Sequence, residues 1–404
     1  MLENKTVLIG VTGGIAAYKT AALVSRLHKA GADVHVLMTE NARKFVGEAT
    51  FDALSGNRTV TDTFDRNHEF NVEHVELAKR ADVFMIAPAT ANVIAKTANG
   101  IADDMLTTTF LAARCPKYIA PAMNTNMYYN PVTQDNLAKL TKYGIHIIDP
   151  ASGRLACGDT GAGKMPEPDV LFSYIEREIA REKDLLGKKV LVTAGATCES
   201  FDPVRFITNH STGKMGFAVA RECMLRGADV TVVKGSTTAE EAPFCHIVEV
   251  KSAEEMYHEV TARSRMQDII IMAAAVSDYT PAAYTDEKVK KADGDMAIEL
   301  KRTPDILKSL SENRQPGQFL CGFSMETENM LENSIKKLEK KNVDMIVANN
   351  LKEEGAGFGT DTNIVTLITK DGVRELDIMS KQDVAREILD TIHEKMKQSP
   401  ENPA

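Results

Sequence analysis

Three features are missing from this 404-residue sequence: long apolar runs, a basic charge excess and paired cysteine motifs. The longest apolar stretch, residues 269–276, falls far short of the roughly 20 residues that cross a bilayer. The formal net charge of -9 argues against broad, charge-driven binding of nucleic acid. None of the six cysteines forms C-x-x-C, and their spacing does not fit a metal-binding ribbon. We therefore expect no membrane and no nucleic acid among the partners.

The composition is that of a globular protein with two domains. Hydrophobic residues make up 43% and charged residues 26% of the chain, which is far from the disordered class. The chain is too long for one ordinary core, so two domains of about 200 residues are expected. The N-terminus, M-L-E-N-K-T-V-L-I-G, indicates a first β-strand rather than a signal peptide. A cytoplasmic location, with the cysteines as thiols, is expected.

Strand-like and helix-like segments alternate along the chain. Continuous apolar strands joined by amphipathic helices indicate an α/β fold with a doubly wound parallel sheet. After a charge-rich segment, residues 175–189, the pattern restarts with strands that echo the first half in the same order. The sequence therefore predicts two tandem domains, residues 1–182 and 188–404, with a boundary near 180–188. The predicted strands are 6–12, 33–38, 82–87 and 117–120, with a helix at 15–29, and the echoes are 189–194, 227–233 and 268–274.

A glycine-rich turn, G-V-T-G-G-I-A-A-Y-K, follows the first predicted strand. Gly13 and Gly14 would end that strand and open a helix, so that backbone N–H groups and the helix dipole face a phosphate. The spacing is not G-x-G-x-x-G, which favours a mononucleotide over a dinucleotide. A tight turn without a ligand is the alternative for this motif taken alone.

Further motifs rich in small and polar residues flank other predicted strands. A-P-A-T-A-N (87–92) leads into D-D-M-L-T-T-T (103–109), H-V-E-L-A (74–78) precedes that strand, and P-A-M-N-T-N-M-Y (121–128) follows another. Small residues and hydroxyls at the carboxyl end of a parallel strand suit a flat polar ring or a ribityl chain. These segments therefore predict a flavin-like ligand.

Together with R-L-A-C-G-D-T-G-A-G-K-M (154–165), these motifs stand in the order typical of phosphopantothenoylcysteine decarboxylases, which residues 1–180 resemble. The resemblance implies a flavodoxin-like fold, bound FMN and a homo-oligomer in which decarboxylase trimers are joined by ligase dimers. One departure is Tyr128, because many relatives have tryptophan there.

The resemblance also implies catalytic roles. Decarboxylation of an acylated cysteine needs an electron sink, which a flavin supplies by oxidising the thiol to a thioaldehyde. His74 is the implied base, Asn124 binds the substrate carboxylate, and Cys157 donates a proton from a mobile flap (154–165) whose glycines 158, 161 and 163 would provide hinge freedom. Taken alone, His74 is typical of a surface histidine and Cys157 of a small buried hydrophobe. The implied flavin-binding residues are Gly13, Gly14, Ile15, Ala16, Thr39, Ala89, Thr90, Ala91 and Asn92.

The second half has its own loop between a strand and a helix. Ser211, Thr212 and Gly213 are predicted to cap a helix that continues to Leu225. The motif S-T-G-K-M-G resembles a phosphate loop, but no hydroxyl follows Lys214. A Walker-type ATPase is therefore disfavoured.

Later motifs resemble those of phosphopantothenate–cysteine ligases over residues 188–360. They are D-P-V-R-F-I-T-N-H-S-T-G-K-M-G (202–216), A-A-A-V-S-D-Y (273–279), E-K-V-K-K (287–291), G-F-S-M-E-T (322–327) and a helix at 331–341 leading into N-V-D-M-I-V-A-N (342–349). The resemblance implies that CTP activates 4'-phosphopantothenate as an acyl-nucleotidylate before cysteine attacks, one step ahead of decarboxylation in coenzyme A biosynthesis. The triphosphate calls for lysines and Mg²⁺ or Mn²⁺, whose ligands are not assigned. CTP follows from the resemblance alone.

The ligase resemblance assigns residues to the nucleotide site. Asn209 would handle the acyl-nucleotidylate, and Lys288, beside Lys290 and Lys291, would belong to a flexible cover over the phosphates. Lys337 and Lys341 have the i, i+4 spacing that also fits an ordinary exposed helix. The implied nucleotide-binding residues are Ala273, Ala274, Ala275, Asp278, Lys288, Thr303, Pro304, Asp305, Ile306, Phe323, Lys337 and Lys341.

Two other functions compete with this interpretation. A nucleotide-dependent oxidoreductase could use Glu40 as a ribose-binding acid, but the glycine spacing is wrong and the flap motif stays unexplained. A non-catalytic scaffold would require degenerate sites. The residues that argue against degeneracy are His74, Asn124, Cys157, Asn209 and Lys288.

Overall fold

The computed structural model describes residues 2–64, 73–154, 158, 160–290, 296–326, 328–350 and 359–398. The chain divides into two compact units, residues 1–181 and 182–404. Across these described ranges, no helix is both long and apolar enough to span a bilayer.

The first unit combines parallel strands, helices and one hairpin. Its strands are β1 (Thr6–Val11), β2 (Asp33–Met38), β3 (Val83–Ala89), β4 (Lys117–Pro121), β5 (His146–Ile147), β6 (Ala151–Arg154) and β7 (Thr160–Lys164). Its helices are α1 (Ala17–Lys29), α2 (Glu48–Ser55), α3 (Glu73–Arg80), α4 (Ala91–Ala98), α5 (Met105–Ala112), α6 (Thr125–Tyr128), α7 (Pro131–Lys142) and α8 (Pro168–Ile179). The sheet order β2-β1-β3-β4-β5, all parallel, is the flavodoxin-like doubly wound order and confirms the predicted fold class.

Helices cover both faces of this sheet. Val7 and Ile9 pack with α1, α2 and α8 on one face, whereas Leu8 packs with α3, α4, α5 and α7 on the other. A strand buried on both faces is apolar at every position, and such strands give continuous apolar runs rather than alternation. This is why the runs in the sequence mark the strands.

The second unit has a larger mixed sheet. Its strands are β8 (Lys189–Ala194), β9 (Cys198–Ser200), β10 (Phe206–Thr208), β11 (Asp229–Lys234), β12 (His246–Glu249), β13 (Ile269–Met272), β14 (Tyr279–Pro281), β15 (Leu300–Arg302), β16 (Phe319–Glu326), β17 (Met345–Asn350), β18 (Thr362–Asn363), β19 (Val365–Thr369), β20 (Gly372–Glu375) and β21 (Met379–Ser380). Its helices are α9 (Lys214–Leu225), α10 (Ala253–Ser264), α11 (Ile306–Glu312), α12 (Met330–Lys341) and α13 (Lys381–Gln398).

The main sheet of the second unit runs β12-β11-β8-β13-β16-β17-β19-β20. It is parallel from β12 to β17, as predicted. At its end, β19 pairs antiparallel with β17, and β20 pairs antiparallel with β19. Only two residues separate β19 from β20, and a connection that short allows only an antiparallel hairpin.

Residues 182–188, which the sequence assigned to a boundary, pack within the second unit. Leu185 is buried, and its N–H donates to Arg226 O at 3.0 Å. The Arg226 guanidinium, itself only 7% exposed, pairs with Asp184 through Nε at 2.8 Å and with Asp390 of α13 at 2.8 Å. The segment therefore ties the start of this unit to its last helix.

Candidate active sites

Thr12 joins two loops at the carboxyl edge of the first sheet. Its buried hydroxyl donates to Pro88 O at 2.7 Å and accepts a hydrogen bond from Thr90 N at 3.0 Å. Thr39, after β2, donates its N–H to Val11 O at 3.1 Å. Because β2, β1 and β3 are neighbouring parallel strands, the turns that follow them share one edge.

The predicted flavin-binding residues lie on these turns. Two helices, α1 and α4, begin there without an acidic residue in the first turn and without a capping side chain. A helix N-terminus is positively polarised, so both ends are suited to an anionic or polar ligand. Gly13, Gly14, Ile15 and Ala16 precede α1, Thr39 follows β2, and Ala89, Thr90, Ala91 and Asn92 span the junction of β3 with α4.

Gly13 lies directly against the loop that follows β2. A Cβ added at Gly13 would stand 2.4 Å from Asn41 Cβ, whereas one at Gly14 would make an ordinary 3.7 Å contact with Thr90 Cγ2. Gly13 is thus required by packing against Asn41. Asn41 was not singled out from the sequence, because nothing in the sequence connects these two loops.

The D-D-M-L-T-T-T motif stabilises a helix. Asp104 caps α5 by accepting from Thr107 N at 2.8 Å, in a reciprocal capping box. The buried Thr109 hydroxyl donates to Met105 O at 2.7 Å within the same helix. The Thr107 hydroxyl donates to Asp104 Oδ1 at 2.7 Å, so both threonine hydroxyls donate within α5 and its N-cap.

The three predicted decarboxylase residues differ in how the structure places them. His74 lies in the first turn of α3, which precedes β3 and so starts towards the carboxyl edge of the sheet. Asn124 caps α6, with its Oδ1 accepting from Asn126 N at 2.9 Å, which orients the amide. Cys157 lies outside the described residues.

Two of the three flap glycines are close-packed, which gives them a packing role; the predicted hinge role stays a prediction. A Cβ at Gly163 would stand 2.2 Å from Met123 O, and one at Gly161 would stand 2.7 Å from Thr125 Oγ1. Gly158 differs, with a positive φ of 94° and no atom of the described residues within 4 Å of an added Cβ.

In the second unit, Ala275 is the meeting point of three segments. Its carbonyl oxygen accepts from Asn209 Nδ2 at 3.1 Å and from Thr197 N at 3.2 Å. Its own N–H donates to Gly195 O at 2.8 Å. The structure thus brings Asn209 to the 273–275 segment at the carboxyl ends of β8 and β13, although 66 positions separate Asn209 from Ala275.

Lys337 and Lys341 of α12 reach two other predicted nucleotide-binding segments. Lys337 Nζ donates to Phe323 O at 3.0 Å, and Lys341 Nζ pairs with the Asp305 carboxylate. Burial lowers the pKa of Lys337 below its usual value, because the nearby carboxylates offset only part of the desolvation. Lys337 is therefore not on an ordinary exposed helix face, which was the alternative for this pair.

The T-P-D-I segment, which contains Thr303, Pro304, Asp305 and Ile306, is held beside Asp278. The Thr303 hydroxyl donates to Ser277 O at 2.7 Å, and Thr303 N donates to Asp278 O at 3.0 Å. Asp305 caps α11 by accepting from Lys308 N at 3.0 Å. These contacts gather the predicted nucleotide residues from four segments of the chain.

Lys288 is exposed, but the loop that contains it is anchored. Val289 N donates to the buried Asp202 carboxylate at 3.2 Å, and Val289 O accepts from the Arg205 guanidinium. Residues 287–290 form neither helix nor strand, as predicted, and Val289 ties this part of the loop to Asp202 and Arg205; the flexible cover over the phosphates stays a prediction.

The start of α9 differs from the predicted cap. Gly213 itself is the N-cap residue, with a φ of 80°, and no side chain caps the helix, although the helix ends at Leu225 as predicted. A Cβ at Gly213 would stand 2.4 Å from Thr237 Oγ1. Lys214, the first helical residue, pairs with Asp361 at 2.7 Å.

Two buried polar atoms have no hydrogen-bond partner among the described residues: Asn349 Oδ1, near the end of β17, and Ser334 Oγ, on α12. A buried polar atom without a partner is costly. Asn349 was part of a quoted motif but was not assigned to the site. Throughout the part of the chain that the structure describes, no group of three His, Cys, Asp or Glu residues could hold a metal ion.

Comparison with known proteins divides the chain at the same place. The Flavoprotein family model matches residues 1–180, and the model for the C-terminal domain of DNA/pantothenate metabolism flavoproteins matches residues 185–396. The coenzyme A biosynthesis bifunctional protein CoaBC of Bacillus subtilis is 49% identical over 405 residues, covering 99% of this chain and 100% of that protein. The CoaBC protein of Vibrio vulnificus is 43% identical over 393 residues, covering 97% and 98%. A crystal structure of the C-terminal domain of a CoaBC protein is 41% identical, with a TM-score of 0.47, covering 54% of this chain and 100% of that one.

Proposed function

This chain belongs to the CoaBC family of bifunctional coenzyme A biosynthesis proteins, and on that premise we propose how its residues divide two reactions. The reactions are the ligation of cysteine to 4'-phosphopantothenate and the decarboxylation of 4'-phosphopantothenoylcysteine to 4'-phosphopantetheine. Residues 1–181 carry out the decarboxylation and residues 182–404 the ligation. The observation that carries this division is that each family model falls within one compact unit that has its own candidate site.

The first site is proposed to hold FMN. Two uncapped helix starts without acidic residues, at α1 and α4, fit a phosphate and a polar ring at one sheet edge. Residues 13–16 would bind the phosphate, and residues 89–92 with Thr39 would contact the rest of the cofactor. Bound flavin supplies the temporary electron sink that an acylated cysteine lacks.

The side chains then bind the substrate and move protons. The Asn124 amide, fixed by Asn126 N, donates to the substrate carboxylate; a neutral donor holds this group without the strong stabilisation of its charge that a lysine would give. Loss of CO₂ is therefore not opposed. His74 acts as the base near the thiol, and Cys157 returns a proton to the product.

The second site is proposed to activate a carboxylate with CTP. A carboxylate is a poor electrophile, so the carboxylate of 4'-phosphopantothenate first attacks the α-phosphate of CTP and releases pyrophosphate. The cysteine amine then attacks the acyl carbon of this acyl-cytidylate and releases CMP. Asn209, hydrogen-bonded to Ala275 O, is placed to handle the acyl-nucleotidylate. Lys288, Lys337 and Lys341 supply positive charge for the phosphates.

The donor set of this site fits a nucleotide better than a protein-bound metal. Asn349 lies buried near the carboxyl end of β17, and its Oδ1 has no hydrogen-bond partner among the described residues. The described residues form no metal-binding cluster, so Mg²⁺ or Mn²⁺ is proposed to arrive with the triphosphate and keep most of its waters.

A homo-oligomer of decarboxylase trimers joined by ligase dimers, located in the cytoplasm, completes the proposal. Large apolar side chains in the first unit are half or more exposed, which supports an interface between copies. They include Ile15, Tyr18, Leu111, Met127 and Val132. The free thiols among the described cysteines fit a reducing compartment.

Two single substitutions test whether each unit carries out one of the two reactions. Asn124→Asp places a second carboxylate against the substrate and should abolish CO₂ release while pyrophosphate formation from CTP continues. Asn209→Asp should impair conversion of the acyl-nucleotidylate to the amide, while CO₂ release from directly supplied 4'-phosphopantothenoylcysteine continues. A variant that loses both activities while staying folded, or one that loses neither, would contradict the assignment.

A further inference from the structure

Strand β7, the second strand of the β6–β7 hairpin in the predicted flap, is hydrogen-bonded to the turn that contains Asn124. Met123 N donates to Gly163 O at 3.0 Å, and the Thr125 hydroxyl donates to Ala162 O at 2.9 Å. These two bonds lie on either side of Asn124 in the sequence. The residue proposed to bind the carboxylate is therefore flanked by two attachments to β7.

The glycines of β7 permit this contact. At Gly163 a side chain would meet Met123 O at 2.2 Å, and at Gly161 it would meet the Thr125 hydroxyl at 2.7 Å. Gly163 is buried and has a φ of 133°, which a larger residue adopts only with strain. The strand is thus built to lie against residues 123–125, and it continues the segment that contains Cys157 in the sequence.

We propose that Thr125 is a positioning residue for the decarboxylation, which fixes the flap strand β7 relative to Asn124. The inference rests on the proposed roles of Asn124 and Cys157. In this proposal Thr125 acts through β7 and has no direct role in the reaction, because its hydroxyl donates to Ala162 O. Its hydroxyl sets the register of the strand from which the proton donor is delivered to the carbon that has lost its carboxylate.

The position of β7 can be tested through the reaction product, because a product that is not protonated on carbon stays unsaturated. Oxidation removes two electrons and two protons from the substrate thiol and its carbon. The bond to the carboxyl carbon then breaks, and its electron pair moves towards sulfur to give an enethiolate. Completion adds a proton to the carbon that bore the carboxylate and a hydride to the carbon that bears sulfur. Without that proton on carbon, the unsaturated enethiol is released as the product. The two electrons taken from the substrate then remain on the flavin and pass to dissolved oxygen.

The test uses the full-length flavin-loaded protein in air with 4'-phosphopantothenoylcysteine. CO₂ release and the ratio of unsaturated to saturated product are measured by mass spectrometry for the wild type, Thr125→Val and Thr125→Ser. Thr125→Val should raise the ratio about fivefold, the factor that corresponds to one typical net hydrogen bond. Thr125→Ser keeps the hydroxyl and should restore the wild-type ratio.

Thr141→Val is the matched control, because that exposed threonine donates only to Leu137 O of its own helix. It should leave the ratio unchanged. Cys157→Ser tests the proton-donor role of Cys157 separately from the positioning role of Thr125. If Cys157→Ser raises the ratio and Thr125→Val does not, the positioning role is overturned alone. If Cys157→Ser gives the normal saturated product, the proton-donor assignment falls, and the role of Thr125 falls with it.

Discussion

The Asp202 carboxylate holds the backbone of Val289 across 87 positions of the sequence. It also accepts from Val204 N at 2.8 Å and Arg205 N at 2.7 Å. Burial alone would raise the pKa of Asp202, but the three N–H donors and the Arg205 charge outweigh it and hold that pKa below its usual value. Asp202 therefore stays ionised and fixes one end of the loop that presents Lys288.

Loosening this anchor should weaken nucleotide binding. Asp202→Asn keeps the shape but loses the charge that attracts three N–H donors, so we expect a several-fold higher KM for CTP. Decarboxylation of supplied 4'-phosphopantothenoylcysteine should not change. Steady-state kinetics of pyrophosphate release measure the first effect and CO₂ release the second.

Asp286→Asn is the control for this loop, because Asp286 is an exposed carboxylate two residues before Lys288. It should behave as the wild type. If both variants keep the wild-type KM, Asp202 does not act through the Lys288 loop.

The half-buried Lys337 of α12 should matter more for nucleotide binding than the exposed Lys340 of the same helix. Lys337→Met removes a charged donor from the candidate nucleotide site and should reduce kcat/KM for CTP about 10–100-fold, the range expected for a hydrogen bond from a charged group. Lys340→Met changes an exposed lysine of the same helix and should have little effect. Equal losses in the two variants would place the effect in the helix as a whole rather than in the site.

The fold was largely predictable because its strands are buried on both faces. β2 and β8 match the predicted residues 33–38 and 189–194, since apolar runs bounded by charge or glycine mark such strands. The helix predicted from residue 15 begins at Ala17, and β13 ends at Met272, two residues early. Ends depend on local hydrogen bonds, which patterns of hydrophobicity do not encode.

Long-range contacts in the sites could not be predicted from the residues alone. The Asp202–Val289 bond and the Gly163–Met123 contact join segments whose distance is set only by the folded sheet. Gly161 and Gly163 were interpreted as hinges because glycine permits both mobility and close approach, and a sequence does not distinguish the two. Motif order predicts which residues belong to the sites, but not how they are held.

The ligase unit should need residues 182–188 for full stability. A fragment 190–404 loses the buried Leu185 and the Asp184 partner of Arg226, which we expect to cost about 3–5 kcal/mol relative to 182–404. Thermal and urea unfolding of the two fragments measure this difference. Equal stabilities would mean that the segment contributes nothing to the fold.

The same ion pair should make stability depend on acid pH. Burial opposes ionisation of Asp184, but Arg226, with His393 nearby, outweighs it and holds the pKa of Asp184 below its ordinary value of 3.8. The unfolded chain then binds more protons, so this stabilisation is complete above that value and is lost as the pH falls through the folded pKa.

Asp184→Asn tests this dependence in the 182–404 fragment. The variant should be less stable by about 1–2 kcal/mol near neutral pH, since Asp390 still pairs with Arg226. The difference between variant and parent should shrink as the pH approaches 3 in urea titrations. A difference that stays constant with pH would show that ionisation of Asp184 is not its source.

The most direct measurement follows both reactions in one vessel. The purified flavin-loaded protein is incubated with 4'-phosphopantothenate, cysteine, CTP and Mg²⁺, and pyrophosphate, CO₂ and product mass are recorded together. The account predicts equal amounts of pyrophosphate, CO₂ and 4'-phosphopantetheine. Pyrophosphate without CO₂, from a protein that takes up no flavin even when flavin is supplied in excess, would contradict it.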